Sequence, residues 1–121
     1  MSGMGSVADL LSRMCPEIEG QLKPNLRGFF SGTIRAYLPQ AWVFTTEAET
    51  VTLHVDTEGN VSVQTGRAGS PDVIIQGAHA ALSAALSTRN PAMVPPGSIK
   101  ARPVTSKGNM AFNFLRSRFG L

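Results

Sequence analysis

Between Thr50 and Gln64 the chain alternates between apolar and polar residues. Val51, Leu53 and Val55 are interleaved with Thr52, His54 and Asp56, and beyond Thr57-Glu58-Gly59 the residues Val61 and Val63 are interleaved with Ser62 and Gln64. A period of two sends apolar side chains to one face of a pleated strand and polar ones to the other. These runs therefore belong to a sheet with one buried face and one wet face, and other elements must cover the buried face. With the β-branched and aromatic run before them, the predicted strands are Trp42–Thr46, Thr50–Asp56 and Asn60–Thr65, an antiparallel meander. The connections are a Glu47-Ala48-Glu49 turn and Thr57-Glu58-Gly59, whose glycine supplies the positive φ of a tight hairpin.

The cover comes from segments with a different period. Val7, Leu10, Leu11, Met14, Ile18 and Leu22 keep the spacing of one helical stripe, which predicts an amphipathic helix over about 6–23. Ser6 and Asp9 are its cap and first-turn acid, Pro16 kinks it or opens a second helix, and Pro24 closes it. From Leu26 to Pro39 the signals conflict, and the reading is a loop with one helical turn around Ile34–Leu38. After a Gly66–Pro71 crossover, Asp72-Val73-Ile74-Ile75 is a continuous apolar run, hence an interior strand ending at Gly77. Ala78–Thr88 is an Ala/Leu helix, and Ser98–Thr105 a fifth strand that Pro103 places at an edge or a bulge. Asn109–Phe119 reads as either period and is assigned as a helix, with Met110 and Phe114 one turn apart on one face, Leu115 and Phe119 widening it, and Arg116 turned toward solvent. The fold class is α+β: a five-stranded, mostly antiparallel sheet with helices on one face.

A chain of 121 residues holds one core, so 1–121 is read as a single domain. At 42% hydrophobic and 16% charged it is a globular rather than a disordered composition, and no apolar run approaches the roughly 20 residues of a membrane span. The lone Cys15 cannot form an internal disulfide, and residues 1–6 resemble neither a secretory signal nor a transit peptide, so the expected location is the cytoplasm. All eight carboxylates lie at or before Asp72, while Arg89, Lys100, Arg102, Lys107, Arg116 and Arg118 follow with no acid among them. That half should attract anions. Its cations are scattered and carry no interleaved stacking platforms, which argues against nucleic acid and fits transient contact with an anionic membrane, or simply a solvated basic face.

Catalytic and metal chemistry find little support. Cys15, His54 and His79 are too few and too far apart for zinc, and no Gly-x-Ser-x-Gly elbow accompanies a histidine. Asp56-Thr57-Glu58-Gly59-Asn60 lacks the frame of a calcium loop, and Gly66-Arg67-Ala68-Gly69-Ser70 follows a strand without opening a helix. Neither catalysis nor a metal or cofactor is expected. What stands out is an apolar excess after residue 80, with Leu82, Leu86, Met93, Val94, Ile99, Met110, Phe112, Phe114, Leu115 and Phe119 as core or as the lining of an apolar cavity.

Pro71-Asp72-Val73-Ile74-Ile75-Gln76-Gly77, the short Ala/Leu helix, Asn90-Pro91, Gly97-Ser98-Ile99-Lys100 and Gly108-Asn109-Met110 together resemble the sterol-carrier-protein family of non-specific lipid-transfer domains, over roughly residues 42–119. The resemblance implies the same order of elements and an apolar tunnel between sheet and helices for a fatty acid, fatty acyl-CoA, sterol or isoprenoid. The expected lipid-binding residues are Phe44, Leu53, Leu82, Leu86, Met93, Val94, Ile99, Met110, Phe112, Phe114 and Phe119, in a monomer or weak dimer. The last helix should cap the tunnel. This chain departs from the family by extra residues around Pro103 and Thr105 and by Met93, Val94 and Pro95-Pro96 in place of aromatics after the Asn-Pro, which implies a tunnel mouth of different size. Two functions follow: a lipid carrier, marked by a continuous cavity of a few hundred Å³, or a non-catalytic accessory module docking on a lipid-modifying enzyme or a homologous subunit, marked by a packed interior.

Overall fold

The structure, a computed structural model, describes residues 6–25 and 36–121. Helix α1 (Val7–Asn25) buries the predicted stripe, with Val7, Leu11, Met14, Ile18 and Leu22 all in the core. Ser6 caps it, its hydroxyl accepting from the amide of Asp9 at 3.0 Å. Both prolines lie inside one continuous helix. Pro16 and the residue four before it, Ser12, are on the exposed side, where the carbonyl that loses its donor can turn to water. The helical turn expected around Ile34–Leu38 falls partly outside the described residues.

The sheet comprises β1 (Gln40–Thr45), β2 (Thr50–Val55), β3 (Val61–Thr65), β4 (Val73–Gly77) and β5 (Ile99–Pro103), in the order β3-β2-β1-β4-β5. The meander forms as the alternation requires, with Trp42 opposite Leu53 and Leu53 opposite Val63. β4 joins β1 in parallel, and β5 closes the edge antiparallel to β4. The interior position of β4 explains its unbroken apolar run, and the edge position of β5 accommodates Pro103 as its last residue. Helix α2 (His79–Thr88) and helix α3 (Ser106–Leu115), which continues as a 3-10 turn through Phe119, complete the fold. Among the described residues no helix is long and apolar enough to cross a membrane.

One apolar cluster joins Leu11, Met14 and Ile18 of α1, Leu82 and Leu86 of α2, Phe112 and Leu115 of α3, and the Trp42, Phe44, Leu53, Val73 and Ile75 face of the sheet. The opposite face is not uniformly wet. Thr52, a polar member of the alternation, is buried because the crossover folds back over it: its hydroxyl donates to the carbonyl of Gly66 at 2.7 Å and accepts from the amide of Ala68 at 3.1 Å.

The β1–β2 turn has a second role that no local pattern announces. The Glu49 carboxylate accepts from the amides of Val7 and Ala8 at 3.0 and 3.1 Å, capping α1 across the fold. Ala78 has no capping side chain, and the Glu47 carboxylate takes the amide of His79 at 2.8 and 2.9 Å in its place. The β2–β3 turn is an Asx turn in which Asp56 Oδ1 accepts from the amides of Glu58 and Asn60, and Gly59 has φ 84°.

Three carboxylates are held below their ordinary range: Glu47 by the amide of His79, Glu19 by the amide of Val61, and Asp56 by the amide and then the side chain of Asn60. A carboxylate depressed in the folded state contributes stability that is fully present above its unfolded pKa and is lost as pH falls through its folded pKa. The denaturant midpoint should therefore hold steady from pH 7 to about 5.5 and decline below about 4.5, with a shallower decline in Glu47→Gln. A midpoint unchanged down to about pH 3 would contradict the assignment.

Candidate binding cavity

An apolar cavity of about 280 Å³ lies between the sheet, α1 and α3. Ile18 and Leu22 form its α1 wall, and Trp42, Leu53 and Val55 its sheet floor. Met110, Ala111, Phe114 and Leu115 supply the α3 wall, and Phe119 the base. Tyr37, Leu38 and Gln40 close one side.

Local rules explain how α3 reaches this place. It begins at Ser106, three residues before the predicted start, because Thr105 caps it by accepting from the amide of Gly108 at 3.0 Å. Spacing of three and four then puts Ala111 and Leu115 on the buried side, with Met110 and Phe114 at the rim. These two remain 49% and 58% exposed, an apolar lip in contact with water. The base is an aromatic stack in which Phe119 lies 5.2 Å from Trp42 and 5.8 Å from Phe44, ring centre to ring centre, and Phe112 lies 5.7 Å from Trp42.

The Gln40 amide in the wall is internally satisfied. Gln40 donates to the carbonyls of Tyr37 and Lys107 and accepts from the Trp42 indole at 2.9 Å. A group so committed offers little to a polar ligand, so the lining is suited to hydrocarbon.

Of the residues the sequence singles out, Leu53, Met110, Phe114 and Phe119 meet at this cavity. Phe44, Leu82 and Leu86 are buried core, and Met93 is 60% exposed away from it. Val94, Ile99 and Phe112 line a second concavity of about 430 Å³ between the 94–97 loop, β5 and Leu121. Arg116 borders that one, exposed as expected but arched over the Phe112 ring at 5.5 Å with its Nε donating to the carbonyl of Leu121. Their periods put Ile18, Leu22, Trp42 and Val55 in strands or on a helix face without assigning them to a site, whereas Leu115 stands among the residues read as core or cavity lining. Tyr37 and Leu38 lie at the end of the stretch where its signals conflict.

Neither a family model nor a curated relative matches the sequence. Solved structures do. A sterol carrier protein 2 like 2 from Aedes aegypti superimposes with a TM-score of 0.50 at 14% identity, covering 88% of this chain and 96% of that one. A palmitated form of the same mosquito protein in solution gives 0.47 at 18% identity, covering 93% of each chain. A ubiquinone synthesis protein, UbiJ-SCP2, gives 0.47 at 17% identity over 89% and 90%. The element order, the sheet order and the superposition with the mosquito crystal structure agree: the chain has a sterol-carrier-protein-like fold.

Proposed function

We propose that this protein binds and carries a lipid with an apolar tail, such as a fatty acid, fatty acyl-CoA, sterol or isoprenoid, in the cavity between the sheet, α1 and α3. The observation that carries the reading is the lining itself: about 280 Å³ walled by side chains from three layers, its one glutamine already hydrogen-bonded, with Met110 and Phe114 at the lip. Ligand sites commonly enclose about 300–1,000 Å³, and burial of each methylene contributes about 0.8 kcal/mol, so a hydrocarbon tail supplies the binding energy by burial alone. The name of the mosquito neighbour, a sterol carrier protein, supports the same ligand class. An accessory module would want a filled interior at this place, so the carrier is the better reading. Contact of the lip with an anionic bilayer would load it.

Extraction of purified protein with organic solvent followed by mass spectrometry, together with titration of a fluorescent fatty acid, tests the proposal. Saturable binding is expected, weakened at least tenfold in Ala111→Phe, which fills the cavity from its wall. Absence of both co-purified lipid and saturable binding in the wild type would sink it.

Phe114→Ala tests the lip separately. A fully buried phenylalanine loses about 3–5 kcal/mol on truncation. With this ring 58% exposed the loss should stay below about 1 kcal/mol, while the order of preference among fatty acids of different length should change. A large drop in stability with unchanged preference would identify Phe114 as ordinary core.

A further inference from the structure

The face of the sheet turned away from the cavity gathers cations. In the β4–β5 ladder Ile74 pairs with Arg102 and Gln76 with Lys100, and strand alternation puts all four on the side opposite Trp42 and Leu53. Arg67 reaches the same place from the crossover, and the five residues line a concavity of about 280 Å³ with Ile74 as its buried floor. Lys100 and Arg102 are two residues apart on one strand, so their stems rise roughly 7 Å from each other.

Elsewhere in the molecule cations meet carboxylates: Lys23 with Glu19 at 3.3 Å, Lys107 with Asp72 at 3.7 Å, and Arg89 with Glu17. Arg67, Lys100 and Arg102 are exposed, and among the described residues none of their side chains has an ion pair or a hydrogen bond. Three like charges held around one hollow repel one another, and that repulsion is relieved when an anion enters. Two guanidinium forks, an ammonium and the Gln76 amide form a donor set suited to an anion with several oxygens, and guanidinium forks match phosphate in a bidentate way.

We propose that this concavity is a phosphate-binding site, separate from the lipid cavity and on the other side of the sheet, taking a multiply charged phosphate or diphosphate group. The shared chemistry admits two sources, a free phosphate compound or a phosphate headgroup on a bilayer. Isothermal titration with inorganic diphosphate, at fixed ionic strength and against sulfate, tests the first. Flotation with phosphatidylcholine vesicles, with and without phosphatidic acid, tests the second.

Saturable binding of diphosphate, or flotation that requires phosphatidic acid, is expected in the wild type. Either should weaken at least tenfold in the triple variant Arg67→Gln, Lys100→Gln, Arg102→Gln and stay unchanged in Ala111→Phe, which lies on the other side of the sheet. Should the triple variant not fold, protection of Arg67 and Arg102 from phenylglyoxal by diphosphate in the wild type, read by peptide mass spectrometry, gives the same answer. The site is overturned if neither probe binds, if sulfate binds equally well, or if the triple variant binds like the wild type.

Discussion

Phe119→Ala should lower the free energy of unfolding by about 3–5 kcal/mol, the usual cost of deleting a fully buried aromatic ring. Phe119 has no exposed surface, and its ring lies 5.2 and 5.8 Å from the β1 rings of Trp42 and Phe44, so it bridges the carboxy-terminal turn to the sheet. Its removal opens new space against the existing cavity of about 280 Å³. Residual void volume adds roughly 24 cal/mol per Å³ where the surroundings cannot collapse, and strands β2 and β4, which flank the β1 residues Trp42 and Phe44, oppose collapse. The same void is available to a ligand. Saturating fatty acid should therefore raise the melting temperature of both proteins, through preferential binding to the folded state, with the larger rise in the variant. Differential scanning fluorimetry with and without fatty acid reads both quantities. A variant as stable as the wild type would refute the bridging role, and melting curves indifferent to lipid in both proteins would remove the carrier reading.

The parts of this fold legible in sequence are those a short-range period encodes. Val7, Leu11, Met14, Ile18 and Leu22 announce a buried helical face, Val51, Leu53 and Val55 a half-buried strand, and Val73, Ile74 and Ile75 a strand covered on both sides. Periodicity stops being informative where a distant residue satisfies a local need. Glu47 and Glu49 lie 32 and 42 residues from the amides of His79 and Val7 that they cap, so the turn reads as a turn and nothing more. Thr52 follows the polar half of the alternation, yet the crossover buries it. The site is legible only in its chemistry. Leu82 and Leu53 are equally apolar in sequence, and whether such a residue fills the core or walls a cavity depends on how far the opposing helix stands from the sheet. The opening residues of α3 escape a sequence reading because Thr105 caps without the Glu or Gln that marks a capping box three residues on. That position is Gly108, which by itself signals a break.

That glycine lets α3 pack directly against the backbone of Asp72, and Gly108→Ala should destabilise the protein by roughly 3 kcal/mol or more, at or above the upper end of ordinary overpacking. A β-carbon at this position would stand 2.1 Å from the carbonyl oxygen of Asp72 and 2.7 Å from its carbonyl carbon. The carbonyl is not free to retreat, since it accepts from the amide of Val104 at 2.7 Å. Nor is the residue that carries it: the buried Asp72 carboxylate accepts from the amide of Ala41 at 3.0 Å and from the Thr105 hydroxyl at 2.7 Å. The strain must then go into α3, lifting its first turn from β4 and carrying Met110 and Ala111 outward from the cavity they line. Lipid affinity should fall together with stability. Gly20→Ala supplies the opposite expectation in the same experiment, because Gly20 lies within α1 and a β-carbon there would meet nothing within 4 Å. Replacing a glycine in a helix by alanine stabilises by about 0.5–1 kcal/mol. Urea denaturation of both variants should move the midpoint down for Gly108→Ala and up for Gly20→Ala. Equal shifts of one sign would mean that the contact between α3 and the Asp72 carbonyl does not fix the cavity wall.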